Sequence, residues 1–121
     1  MGTGLDSATN LYLQAIRDGD YESAITTYAG DRYTQHSTPV RDGREGFIEF
    51  FEGFVRRNPV RDIQIVRSFQ DGRYVFLHVL QSLNDGEFRY VTADIFDTDE
   101  AGLLIEHWDV IAQMTGPNNS G

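Results

Sequence analysis

The chain contains no cysteine, and its ten basic residues are all arginine, so lysine is absent too. Without cysteine there is no disulfide framework, no thiolate zinc site and no cysteine nucleophile. Without lysine no Schiff base can form on a carbonyl substrate, which excludes a class I aldolase mechanism. The ten arginines face 19 acidic residues, leaving a formal charge of −9. Scattered arginines in an acidic chain make a poor binder of nucleic acid or anionic membrane, so neither is expected as a partner. No apolar run approaches the length of a membrane span. The opening Met1–Asp6 has neither a basic run nor a long apolar segment. No signal peptide is therefore expected, and the expected location is cytoplasmic.

What is present is a globular composition. Hydrophobic residues make up 40% of the 121 and are spread along the whole length. That is one domain's worth of chain, able to bury a core without staples. A single domain over 1–121 is expected, with its core at about 5–113 and a flexible tail over 114–121.

The first half reads as helical. Leu5, Ala8, Tyr12, Ala15 and Ile16 recur at three- and four-residue steps, with Asp6 or Ser7 as N-cap. Arg17-Asp18-Gly19-Asp20 is a stop and restart before a second helix over Tyr21 to Ala29, and Asp31 to His36 is a short extended piece. A third helix runs from Gly43 to Arg57, with Phe47, Phe50, Phe51 and Phe54 in one stripe. The stripe reads as core, with one or two rings free to roof a cavity.

After Pro59 the period changes to two. Strands are expected over Val60–Phe69, Tyr74–Leu83, Phe88–Phe96 and Leu103–Ala112. The turns between them are Gln70-Asp71-Gly72, Asn84-Asp85-Gly86 and Thr98 to Gly102, which are hairpin connections and imply antiparallel pairing. Helices first and strands after is an α+β layout. Both sheet faces are largely apolar, so a homodimer is expected through an outer face carrying Leu77, Val79, Val91, Trp108 and Val110. The other face is expected to mix His78, Asp94, His107 and Asp109 with Phe76, Tyr90 and Ile111. Several ionisable groups on one face suggest a polar cavity under the helices, entered by Tyr12 and His36. Asp97, Asp99 and Glu100 read as a solvated turn.

This order of elements resembles the cone-shaped α+β superfamily of nuclear transport factor type, which includes ketosteroid isomerases and SnoaL-like polyketide cyclases. The local text agrees: Asp18-Gly19-Asp20-Tyr21, Tyr28-Ala29-Gly30-Asp31, Asp42-Gly43-Arg44-Glu45-Gly46 and the closing run from Gly102 to Ile111. The resemblance covers about Leu5 to Gln113. It implies N-terminal helices packed on a curved antiparallel sheet forming a cone with an internal pocket.

Laid on this chain, the isomerase pattern puts its oxyanion-hole tyrosine on Tyr12, its general base near His36 and its protonated oxyanion-hole aspartate on Asp94. At the base, imidazole replaces carboxylate, which suits proton abstraction near neutral pH. His78, His107, Asp109, Tyr90, Phe76 and Ile111 would support these groups or bind substrate. The implied activity is a cofactor-independent acid/base enzyme acting on a small apolar carbonyl compound, by isomerisation, aldol closure or dehydration. Neither cofactor nor metal is expected, because the histidines form no short-range ligand motif. Two alternatives stay open. One is a non-catalytic ligand-binding or accessory dimeric module. The other is epoxide hydrolysis, since limonene epoxide hydrolases of the same superfamily resemble this chain with an Arg-x-Asp on the third strand; Thr92 stands where the arginine would be, which weakens that reading.

Overall fold

The computed structural model describes residues 3–114; the expected loose tail from Thr115 onward lies outside the described residues. Helix α1 spans Gly4–Tyr12 and is capped by Thr3, whose side chain accepts from the Asp6 N–H at 3.0 Å. The cap is thus earlier than Asp6 or Ser7. The helix continues as a π-helical turn over Leu13–Arg17, closed by the Asp18 N–H on the Leu13 carbonyl at 3.1 Å. Helix α2 is Tyr21–Tyr28, followed by strand β1, Ala29–Gln35. Helix α3 is Gly43–Arg57, as the aromatic stripe and Asn58-Pro59 require.

Asp42 caps α3 and ties it to β1. Its Oδ1 accepts from the Gly43 N–H at 2.9 Å and from the Gln35 N–H at 2.7 Å. The chain between them lies hard against the helix: a Cβ on Gly46 would stand 1.7 Å from the Arg41 carbonyl oxygen, so only glycine fits. Four longer strands follow: β2 Arg61–Asp71, β3 Tyr74–Leu83, β4 Phe88–Thr98 and β5 Leu104–Gln113. The β3–β4 turn places Asn84 and Asp85 at φ 55° and 60°, values that these two residue types tolerate best.

The sheet order is β1-β5-β4-β3-β2. Three pairings are antiparallel, but β1 runs parallel to β5. This corrects the expected architecture. The sheet is mixed, its edge strands β1 and β2 do not pair with each other, and it is not closed or curled into a cone. The physical reason is the connection. A parallel pair needs a long crossover, and the chain leaves β1 through α3 and the whole meander before β5 returns beside it. Hairpin turns report only on strands that they join.

The helices cover one face. Ala8, Leu11, Ala15 and Ile16 meet Val75, Leu77, Val79 and Phe96 in the core. Leu77 and Val79, expected on the outer face, are therefore inside, 2% and 0% exposed. Cross-strand register explains it. Leu77 stands opposite Asp94 and Val79 opposite Thr92, so they share the face of Asp94. Phe76 and His78 fall on the opposite, outer face with Val91, Trp108 and Val110. In β3 both faces are apolar, and a slip of one residue exchanges them. Asp97, expected in a solvated turn, is buried and paired with Arg73 at 2.9 Å. No helix among the described residues is long and apolar enough to cross a membrane.

Candidate active site

A cavity of about 570 Å³ lies between α3 and the inner sheet face. That is the size of a small-molecule site. Its apolar wall is the α3 stripe, with Phe47, Phe50, Phe51 and Phe54 all lining it, joined by Tyr33, Phe88 and Tyr90. The stripe is both: Phe47 and Phe51 belong to the buried core, with Phe50 and Phe54 packed against it, and all four rings form the cavity wall rather than the one or two expected. The polar wall carries Tyr12, Gln35, Ser37, Thr92, His107 and Asp109.

Behind that wall is Asp94, 1% exposed. Its Oδ2 accepts from the Thr92 hydroxyl at 2.6 Å, and its Oδ1 accepts from the Tyr12 hydroxyl. His107 Nε2 lies 2.8 Å from the same Oδ1 and 3.3 Å from the Tyr12 oxygen. On the other side of the ring, Nδ1 lies 2.7 Å from Gln35 Oε1, which also accepts from the Ser37 N–H at 3.0 Å. A backbone N–H can only donate, so that Gln35 atom is the carbonyl oxygen, and Nδ1 must carry a proton towards it. One proton then remains to be shared between Nε2 and Asp94 Oδ1. Burial first, then the Asp94 carboxylate, holds the Tyr12 phenol well above its ordinary range, and Tyr33 is raised by the same two causes. Tyr12 is therefore a permanent donor at physiological pH.

Asp109 stands opposite Asp94 across the β4–β5 pair. Its Oδ2 accepts from the Ser37 hydroxyl at 3.0 Å, and it is half-buried in the cavity wall. Burial lifts its carboxyl above the usual aspartate value, against the pull of His107 and the Ser37 hydroxyl. Asp94, His107 and Asp109 offer ligand-capable atoms within 4.8 Å of one another. They are the described residues that could hold a cation, but the Asp94 oxygens and both ring nitrogens already have hydrogen-bond partners.

The structure thus brings together Tyr12, Asp94, His107 and Asp109, with Tyr90 and Ile111 in the cavity lining. It places His36 elsewhere. In β1 the inward residues are Tyr33 and Gln35, and the intervening parity carries His36 to the outer side. There its Nε2 meets Glu106 Oε2 at 2.6 Å, and its ring stacks on Trp108 with centroids 5.1 Å apart. The bond to His36, with Arg32 beside it, holds the Glu106 carboxyl below its ordinary value. His78 also faces outward, with Nδ1 accepting from Arg67 at 2.9 Å, and Phe76 stacks on Phe69. Gln35 and Ser37 went unread in the sequence. Their signal was the alternation around His36, which needs a known strand face to be used.

A sequence profile for a family described as SnoaL-like domain matches residues 10–107. No curated protein matches the chain. Among solved structures, a candidate polyketide cyclase from Bacillus cereus is similar at 16% identity and TM-score 0.76, covering 89% of this chain and 73% of that one. TsrD from Streptomyces laurentii aligns at 18% identity and TM-score 0.75, over 89% and 87%. A cystatin-fold protein from Novosphingobium aromaticivorans aligns at 15% identity and TM-score 0.75, over 91% and 99%. At these identities the likeness to solved structures is one of fold.

Proposed function

Because the chain belongs to the SnoaL-like family, we propose that it is a cofactor-independent acid/base enzyme acting on a small apolar carbonyl compound. The observation that supports this most is the placement of Asp109. A carboxylate made more basic by burial stands in the wall of an apolar cavity, beside a network that holds one shared proton. Asp109 takes the proton α to the carbonyl. The enolate oxygen is met by the Tyr12 hydroxyl and the His107 Nε2 proton, which give up their bonds to Asp94 Oδ1 in exchange, with Asp94 behind them balancing the charge. Isomerisation, aldol closure and dehydration all begin with this step. The base role that the resemblance gives to His36 passes to Asp109 in this reading, since His36 does not line the cavity.

One observation favours the alternative of a ligand-binding module: both Asp94 oxygens and both His107 nitrogens are satisfied without a substrate. The test is Asp109→Asn. Loss of turnover on any substrate found, with the fold intact, supports the enzyme; unchanged turnover removes Asp109 from the chemistry. We also propose that the outer face, with Val110 71% exposed, is the interface of a homodimer.

A further inference from the structure

The cavity is long, and its two ends differ in chemistry. Along β4, the cavity lining runs from Thr92 to Phe88, a step of four residues, or about 13 Å. Along α3, Phe47, Phe50, Phe54 and Arg57 follow at steps of three, four and three, and the ten steps from first to last rise about 15 Å. Phe47 packs edge-on to Tyr33, near Gln35 and the acid/base network. At the other end, Asn58 accepts from Asn84 at 3.2 Å, joining the foot of α3 to the β3–β4 turn. The aromatic stripe thus starts beside the acid/base groups and ends in a guanidinium.

Arg57 lines the cavity and is exposed at its rim. Among the described residues it has no hydrogen bond or ion pair, although the chain carries nine more acidic than basic groups. It lies back along α3 over Gly53, with Nη1 2.8 Å from where a Cβ would stand, so the missing side chain at that position makes its seat. Arg56, next to it, does not line the cavity.

We infer that Arg57 is a specificity-determining residue, selecting aromatic carbonyl compounds that carry a carboxylate at the end remote from the reacting carbon. This rests on the acid/base reading of the opposite end. The planar fork of an arginine holds a carboxylate through two parallel bonds, and the flat rings of Phe50 and Phe54 carry the hydrophobic body up to it. The overall negative charge repels anions, so a preference for an acid has to come from a local cation.

The test compares the binding of biphenylacetate with that of its neutral methyl ester by calorimetry, at neutral pH and low salt. The wild type should bind the acid roughly three- to tenfold more tightly than the ester, the range for a partly exposed charge-assisted pair. Arg57→Gln should erase that preference by weakening the acid alone. Arg56→Gln and Asp109→Asn should both keep it. Equal affinity for acid and ester in the wild type, survival of the preference in Arg57→Gln, or its loss in Arg56→Gln overturns the assignment. The two readings separate cleanly: full turnover by Asp109→Asn would sink the acid/base reading while leaving the Arg57 preference in place.

Discussion

Gln35 and His107 stand opposite each other across the parallel β1–β5 pair, and the Gln35 side-chain carbonyl accepts the Nδ1 proton of the imidazole at 2.7 Å. A parallel edge strand that looks incidental in the sequence therefore fixes the tautomer of the site's histidine. Replacing Gln35 by Leu removes the acceptor for both His107 Nδ1 and the Ser37 N–H. A stability loss of about 1–3 kcal/mol follows from the buried groups left unpaired. In ring-nitrogen NMR, the protected His107 Nδ1 proton of the wild type should disappear in the variant. A resonance that persists unchanged contradicts the tautomer assignment.

His36→Ala should leave ligand binding in the cavity and any turnover within about twofold of wild type, since the ring lies on the outer face. Exposed ion pairs contribute little, so the stability change should stay below about 1 kcal/mol. The emission of Trp108, the one tryptophan of the chain, should nonetheless change, because the two rings are stacked within 2° of parallel. A collapse of turnover would return His36 to the chemistry.

A homodimer through the outer face predicts a sedimentation mass twice that of the chain at micromolar concentration. Val110→Arg should shift it to monomer, since a charge in an apolar interface goes unpaired. Monomeric wild type, or an unaffected dimer in the variant, removes this face as the interface.

Much of the architecture was legible in the sequence. The boundaries of α3 followed from Asp42-Gly43 and Asn58-Pro59, and the β3–β4 hairpin from Asn84-Asp85-Gly86. Tyr12, Asp94, His107 and Asp109 stand out in the sequence as polar groups on or over one sheet face, and the structure brings all four together. Illegible were the features that depend on parity and direction. Nothing between Val75 and Leu80 distinguishes a helix-facing from an outward residue, so the sequence pattern alone assigns His78 and Phe76 to the wrong face. The tilt of His36 away from the site depends on how β1 pairs with β5, a contact between residues about 70 positions apart. No hairpin turn announces it.

The central claim is that burial makes Asp109 a stronger base than an ordinary aspartate, and its titration tests this without a substrate. A carboxyl whose folded pKa lies above its unfolded value binds its proton more tightly in the fold. Its contribution to stability is complete below the unfolded value, near 3.8, and is lost as pH rises through the raised folded value. Asp109→Asn should therefore raise Tm at pH 7, and the gain should shrink as pH falls through that window. The direct measurement is the carboxyl carbon-13 shift of Asp109 followed against pH in the wild type. The account predicts a midpoint above the ordinary aspartate value; a midpoint at or below it would contradict the account.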